Sequence, residues 1–423
     1  MASVFVTGAS GFIGRHVVRA LHDAQHDVSC GVRDPASLAG CRAIAVDFMC
    51  DWAVSDWLPR LANVDVVVNA VGILRESPRA TFEALHVAAP RALFEACVQG
   101  GVRKVVQISA LGADEGAASR YHLSKKRADD FLATLPLQWV VVQPSLVYGE
   151  GGASARLFTT LAALPVIPVP GGGWQRVQPA HIADLTDLVV RVVDSDRFDR
   201  TRIAAVGPQE LAFREFLAAL RRGMRLSAAH FLPVPMALVR AGAAIAEHVP
   251  RFTFDREALD MLERGNVASP AAIENVLQKS PRPVDTFISP QQARTTATAA
   301  RLAWLLPLLR VSVALVWIVT GIVSLGVYPV AESYALLARV GLTGAAAAVA
   351  LYGAALLDLA FGVGALALRR RRWLWRAQIA LILGYTIIIT VWLPEFWLHP
   401  YGPVLKNLPL LAAILLLHEL EDV

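Results

Sequence analysis

Charge is scarce in this chain: Asp, Glu, Lys and Arg supply 18% of the 423 residues, against 55% hydrophobic ones. Soluble domains carry more charge, so an entirely water-exposed molecule is excluded and part of the chain is expected in lipid. Cysteine is scarcer still. Cys30, Cys41, Cys50 and Cys97 form no CxxC pair, and no histidine pair stands at ligand spacing. Neither a disulfide framework nor a metal site is expected from that, and the four read as reduced, small buried hydrophobes in a cytoplasmic setting. The start, MASVFVTGASGFIG, lacks a basic stretch and a cleavage site. It reads as a strand and turn, not a signal peptide. The net charge is +5, yet the densest basic run, Arg369 to Arg372, lies between two long apolar stretches and no aromatic-interleaved basic patch accompanies it. No nucleic-acid partner is expected.

What the chain does have, between residues 3 and 149, is a series of short Val/Ile-rich runs separated by amphipathic stretches: Ser3 to Thr7, Asp27 to Arg33, Ala43 to Asp47, Asp65 to Gly72, Lys104 to Gly112 and Trp139 to Gly149. This alternation predicts βαβ units and an α/β fold with a doubly wound parallel sheet, and the near-continuous apolarity of each run predicts strands covered on both faces. From 150 to 225 the pattern loosens into Gly/Pro-rich turns with helices over Ile182 to Val193 and Phe213 to Arg222, read as a small substrate lobe. Residues 226–300 read as a helical extension ending in a polar linker, Ser289 to Thr298. The expected domains are therefore 1–225, 226–300 and 301–423.

The last of these holds four hydrophobic segments, Arg310 to Tyr328, Ala345 to Leu368, Ala377 to Leu393 and Val404 to Leu417. The second, at about 36 Å as a helix, is long enough to span a bilayer. Arginines precede the first segment and crowd between the second and third, whereas Tyr328, Trp392, Phe396, Trp397 and Tyr401 gather at the opposite ends. The positive-inside rule then predicts a multi-pass protein of the inner membrane with both termini cytoplasmic. Asp358, in the middle of the second span, calls for a partner or a role, and Gln378 and Lys406 are candidate partners.

Thr7-Gly8-Ala-Ser-Gly11-Phe12-Ile13-Gly14 follows the first strand and opens a helix. Glycines at these steps let the chain turn tightly and bring backbone N–H groups and the positive helix end against a pyrophosphate. At the end of the second strand an acidic residue would bind a ribose 2′-hydroxyl. Val32-Arg33-Asp34 stands there instead, and Arg33 could pair with a 2′-phosphate, so NADP is favoured over NAD unless Asp34 turns inward. Tyr121-His-Leu-Ser-Lys125 puts a phenol and an ammonium on one helix face, the arrangement of a general acid beside a cation. His181, alone after a turn, reads by default as a helix-start residue.

TGxxGFIG at the front, with YxxxK downstream, resembles the short-chain dehydrogenase/reductase superfamily in its extended or atypical branch. That likeness implies an adenine-side place for Asp47, a place beside the cofactor for Asn69, Ala70 and Gly72, and one bordering the nicotinamide for Pro144 and Ser145. It implies that Lys125 lowers the pKa of Tyr121, that Tyr121 passes a proton to or from the substrate oxygen during hydride transfer, and that Ser109 polarises the substrate carbonyl. SALGA, SRYHLSK and a late Arg-Pro-Val-Asp look most like the group containing the nucleotide-binding accessory subunit of respiratory complex I, whose members can hold a dinucleotide for structural reasons. WIVTG, LLARVGLTG, PEFW and KNLP in the last 120 residues resemble the DoxX-like four-helix membrane family, some of whose relatives are associated with quinone-linked oxidation. The combined expectation is an NAD(P)-dependent oxidoreductase acting through Ser109, Tyr121 and Lys125 on a lipophilic substrate, quinone being a possible acceptor. The alternative is a non-catalytic dinucleotide-binding scaffold or assembly factor for a membrane respiratory complex.

Overall fold

The computed structural model describes residues 1–38, 40–246 and 256–421. The chain divides into two compact units, Met1–Ala300 and Arg301–Val423. In the first, the strands are β1 (Ser3–Thr7), β2 (Asp27–Val32), β3 (Arg42–Ala45), β4 (Val66–Asn69), β5 (Lys104–Ile108), β6 (Gln138–Pro144), β7 (Val147–Tyr148), β8 (Ile167–Pro170), β9 (Arg176–Val177), β10 (Ala180–His181), β11 (Thr201–Ala205), β12 (Leu211–Ala212) and β13 (Phe231–Val234). Seven of them form one parallel sheet in the order β11-β6-β5-β4-β1-β2-β3. The order reverses between β1 and β4, which opens a crevice at their carboxyl ends.

Its helices are α1 (Phe12–Asp23), α2 (Val54–Trp57), α3 (Ala89–Gln99), α4 (Arg120–Thr134), α5 (Ala153–Ala163), α6 (Ile182–Asp194), α7 (Phe213–Gly223), α8 (Met236–Ala246), α9 (Arg256–Arg264) and α10 (Ala271–Leu277). Successive side chains of a strand face opposite ways. Val4 and Val6 therefore join α1 and α6 in one core, while Phe5, Val67, Val105 and Val141 join α3 and α4 in another. A third core lies in the smaller lobe, where Ile167 and Val169 of β8 meet Phe213, Phe216 and Leu217 of α7.

Two expectations fail here. Cys30 and Cys41 are joined as a disulfide rather than reduced. β2 pairs with β3 with Cys30 opposite Ala43, and this register carries Cys41, just ahead of β3, alongside Cys30. Cys97 is free and buried as expected, but Cys50 is free and exposed. The polar stretch Ser289 to Thr298 is not a loose linker either. From Ala293 it is helical, the first turns of α11 (Ala293–Ile322), and Ala293, Ala297 and Ala300 pack in the third core. Alanine's high helix propensity and the small face it offers outweigh the Ser/Thr/Gln content.

The second unit continues α11 through a π-helical turn, Val323–Val327, and adds α12 (Val330–Arg339), α13 (Gly344–Ala367), α14 (Arg372–Trp392) and α15 (Asn407–Leu420). Three helical stretches, Ala293–Val327, Gly344–Ala367 and Arg372–Trp392, are long and apolar enough to cross a membrane; Asn407–Leu420 is apolar but shorter. Helix α12, whose sequence VAESYALLAR is amphipathic, was not anticipated among the four apolar segments. Asp358 is buried in the bundle, and neither Gln378 nor Lys406 hydrogen-bonds it: its Oδ1 has no partner among the described residues, Gln378 Nε2 donates weakly to the Phe361 carbonyl at 3.4 Å, and Lys406 is exposed.

Candidate active site

At the carboxyl ends of β1, β4 and β5, Thr7, Asn69 and Gln107 stand opposite one another in register. The Thr7 hydroxyl donates to Asn69 Oδ1 at 2.6 Å, and Asn69 Nδ2 donates to Gln107 Oε1 at 2.7 Å. This buried rung fixes the ends of three strands, so the loops leaving them start from a rigid edge. From Thr7 the chain enters the glycine turn. Gly8 takes φ +71°, and a Cβ there would lie 2.9 Å from the backbone of Ala70 and Val71. A Cβ on Gly14 would overlap the carbonyl oxygen of Gly8, so α1 can approach the turn only because both residues are bare.

Helix α1 begins at Phe12 with Gly11 as its N-cap, no side-chain cap and no acidic residue in its first turn. The N–H groups of Phe12, Ile13 and Gly14 have no intrahelical acceptor at that position, and they carry the positive end of the helix. Bare backbone, unmatched donors and a crevice at the switch point fit the diphosphate of a dinucleotide. Arg33, at the end of β2, is exposed with no ion pair among the described residues. Asp34 is turned to its own backbone, its Oδ1 accepting from the Ala36 N–H at 3.1 Å. Asp47 lies two residues beyond β3, where its carboxylate accepts from the Met49 N–H at 2.9 Å and from the Cys50 thiol at 3.8 Å, as a local cap does.

Ser119 caps α4 by accepting from the His122 N–H, and the helix carries Tyr121 and Lys125 on one face. Lys125 is buried, and its Nζ donates to the carbonyls of Val71 and Ile108, both at 3.1 Å. The ammonium therefore bridges the ends of β4 and β5. Gly72 rests directly on it, since a Cβ there would lie 3.0 Å from Nζ. Tyr121 is half-buried, edge-on to the rings of Phe82 and His86. Ser145 points elsewhere. Its hydroxyl donates to the Gln178 carbonyl at 2.6 Å and so ties the end of β6, just after Pro144, to the smaller lobe. His181 Nδ1 accepts from the Ala183 N–H at 3.1 Å as the cap of α6, in keeping with a helix-start role.

Two groups at the site were missed in the sequence. Asp129, on α4 one turn beyond Lys125, is fully buried, and its Oδ2 accepts a hydrogen bond from the Ser109 hydroxyl while Oδ1 has no partner among the described residues. The spacing 121, 125, 129 was the available signal, because residues four apart share a helix face. His86 lies in a π-helical turn, Glu83–Ala88, behind Tyr121. Its Nε2 accepts from the Ile73 N–H at 3.1 Å and its Nδ1 meets the Ser124 hydroxyl at 2.8 Å. Nothing local in the sequence marks it, since its partners come from β4's loop and from α4.

Burial sets the protonation of the group. It raises the Asp129 carboxyl and lowers the Lys125 ammonium, each partly offset by the other's charge. Burial, and then the charge of Asp129, push the Tyr121 phenol up. The depression that the family likeness implies is not supplied by these residues alone, because burial raises the phenol and the Asp129 charge adds to that rise. His86 is held down to about 2, chiefly by burial and then by Lys125, so its ring is neutral.

Residues 8–162 match the NAD(P)H-binding family, and residues 314–415 match the DoxX-like family. The chain joins an NAD(P)-binding Rossmann domain to a DoxX-like domain. Ceramide reductase from Caulobacter vibrioides is 31% identical to it over 191 residues, 44% of this chain and 59% of that protein. The mitochondrial NADH dehydrogenase (ubiquinone) 1 alpha subcomplex subunit 9 of Arabidopsis thaliana is 24% identical over 253 residues, 58% of this chain and 62% of that one. The chain thus spans less than two thirds of the length of either relative. Among solved structures, a nucleoside-diphosphate-sugar epimerase from Staphylococcus aureus superposes with a TM-score of 0.56 at 15% identity, over 68% of this chain and 99% of that one. UDP-glucuronic acid 4-epimerase from Bacillus cereus, solved with UDP-glucuronic acid and NAD, gives 0.52 at 18% identity over 71% and 100%. At such identities the likeness is one of fold. A nicotinamide dinucleotide is the cofactor class of the front domain, and the apolar helices with the DoxX-like match make the chain a membrane protein.

Proposed function

We propose that this membrane-anchored protein is an NAD(P)-dependent oxidoreductase that interconverts an alcohol and a carbonyl on a lipophilic substrate. The observation that carries the reading is Lys125, locked onto the carbonyls of Val71 and Ile108 beside the glycine turn, with Tyr121 one helical turn away on the same face. The dinucleotide, when bound, supplies or accepts the hydride. The turn from Thr7 to Gly14 holds its diphosphate, and Asn69, Ala70 and Gly72 line its path. Arg33, exposed and without an ion pair among the described residues, supports NADP over NAD by offering a guanidinium to a 2′-phosphate. Asp47 takes the adenine side, and Pro144 and Ser145 border the nicotinamide.

In reduction the Tyr121 phenol would donate its proton to the substrate oxygen and be left as a phenolate; in oxidation that phenolate would take the proton of the substrate hydroxyl. Ser109 is the group placed to polarise the substrate oxygen once its hydroxyl turns from Asp129. The relative named ceramide reductase, together with the apolar helices of this chain, supports a lipid-like substrate. The arginines flanking the spans support an inner-membrane protein with both termini in the cytoplasm. Removing the phenol hydroxyl in Tyr121→Phe lowers hydride transfer by about 10²–10⁴-fold while leaving dinucleotide affinity unchanged. Full turnover by that variant would refute the assignment.

A second reading has its own observations. The Tyr121 phenol is pushed up rather than down, and the Ser109 hydroxyl is already committed to Asp129. Both suit a scaffold that retains a dinucleotide without using it, within a membrane respiratory complex, and the likeness to a complex I subunit supports that role. Retained cofactor whose redox state never changes with any lipophilic carbonyl, alcohol or quinone would decide for it.

A further inference from the structure

Asp129 brings a carboxyl into the core of the front domain and meets little there that would hold its charge. The side chain is fully buried, its Oδ2 shares one hydrogen bond with the Ser109 hydroxyl, and its Oδ1 has no partner among the described residues. The cations around it are engaged elsewhere. Lys125, one turn before it on α4, gives its Nζ to the Val71 and Ile108 carbonyls, and Arg202 of β11 pairs with Asp130, which also holds Lys126 at 2.6 Å. On α3, Arg91 lies over the Phe131 ring, 4.4 Å from its centre, and burial keeps the Cys97 thiol neutral. On the π-helical turn, Glu83 is paired with Arg127 and the His86 ring is neutral. Tyr121, two turns before Asp129, keeps its phenol proton as well.

An ionised carboxylate has about four acceptor sites. Leaving all but one of them empty inside a protein is far costlier than burying the neutral acid. Burial accordingly raises the Asp129 carboxyl well above the usual carboxylate range, by more than the Ser109 bond and the charges of Lys125 and Arg202 lower it, and Asp130 adds to the rise.

Ser109 stands directly after β5, with its N–H bound to the Val142 carbonyl at 2.8 Å, so its backbone is fixed and only the hydroxyl can turn. That hydroxyl has one proton and serves one acceptor at a time. With Asp129 ionised, the acceptor is Asp129, and no donor is left for a substrate oxygen. With Asp129 neutral, the same oxygen-to-oxygen contact runs the other way. The acid donates to Ser109 Oγ, and the serine proton is free to point outward.

We propose that Asp129 is a positioning residue that works as the neutral acid, donating to Ser109 so that Ser109 in turn donates to the substrate oxygen. The proposal rests on the oxidoreductase reading above and gives it a condition: one proton, taken up from water by Asp129, turns Ser109 from a structural group into a polarising one.

The test uses the full chain in detergent, with NADPH and dodecanal as the probe. In the unaltered protein kcat for reduction is expected to fall by about 10²-fold between about pH 6 and about pH 9, as the carboxylate draws the Ser109 proton to itself. In Asp129→Asn, whose amide does not titrate, the fall is expected to vanish with NADPH affinity unchanged. A merely structural Asp129 would leave the shape of the profile as it was. A level profile in the unaltered protein, or the same fall in the variant, would overturn the proposal. Infrared spectra of the NADPH-bound chain at neutral pH provide a readout that needs no turnover: a buried carboxylic-acid C=O band is expected that Asp129→Asn lacks, and its absence would also overturn the proposal. Failure of the oxidoreductase reading looks different. The acid band is then present while no lipophilic carbonyl is reduced at any pH, and the role of Ser109 toward substrate falls with that reading.

Discussion

Because the Ile73 N–H donates to Nε2 of His86, the proton of the neutral ring sits on Nδ1 and goes to the Ser124 hydroxyl, which in turn donates to the Tyr121 carbonyl at 2.7 Å. The chain of hydrogen bonds fixes the start of α4 and with it the Tyr121 phenol. The folded pKa of the His86 ring, held down to about 2 by burial, lies below the unfolded value of 6.5. The stability this ring contributes is therefore present above about pH 6.5 and is lost as pH falls toward 2, at about 1.4 kcal/mol per pH unit. His86→Gln is expected to lower Tm at pH 7 and to lose less on going from pH 7 to pH 5 than the unaltered protein does; parallel melting curves would miss this. Ser109 offers a second test. Ser109→Ala strips Asp129 of its hydrogen bond, which costs about 1–3 kcal/mol of stability, and it is expected to lower kcat by about 10²-fold if the hydroxyl also serves the substrate oxygen. A lower Tm with unchanged kcat would confine Ser109 to structure.

Elements were legible in the sequence to the extent that local pattern decides them. The apolar runs and glycine turn foretold the parallel sheet, and the helices at 182 and 213 begin where expected, because their amphipathic period and flanking turns lie within the segment. What depends on distant partners was hidden. The Cys30–Cys41 bond follows from β2–β3 register, and the helical character of Ser289 to Thr298 follows from a core that accepts three alanines. The same dependence gives a prediction in the bundle. A Cβ on Gly362 of α13 would lie 2.5 Å from the Ile318 side chain and 2.8 Å from the Ala314 carbonyl oxygen of α11, so the backbones of the two helices approach closely there. Gly362→Leu is expected to cost at least about 1–3 kcal/mol through overpacking, read as a lower melting temperature in detergent with dinucleotide affinity retained. A variant as stable as its parent would mean that these helices are further apart.

For the whole molecule, the pairing of a dinucleotide crevice with an apolar bundle was readable from composition and two motifs, because glycine spacing and long apolar segments are strong one-dimensional signals. The protonation of the site was not, since it arises from burial of Lys125 and Asp129 side by side. The central claim is that the amino end of α1 grips the diphosphate of a nicotinamide cofactor. Gly11 is the N-cap there, at φ −72° and ψ 171°, a conformation aspartate adopts readily, and Asp is a good helix cap. A Cβ at Gly11 would lie 3.1 Å from the Gly8 carbonyl oxygen, a tight contact that the better cap offsets, so Gly11→Asp is expected to melt close to its parent while placing a carboxylate against the phosphate. The deciding measurement is equilibrium binding of NADPH and NADH to the full chain in detergent, for the unaltered protein and for Gly11→Asp. Saturable binding by the first, lost in a variant that melts close to it, is what this account predicts. Undiminished binding by the variant, or none by the unaltered protein, would contradict it.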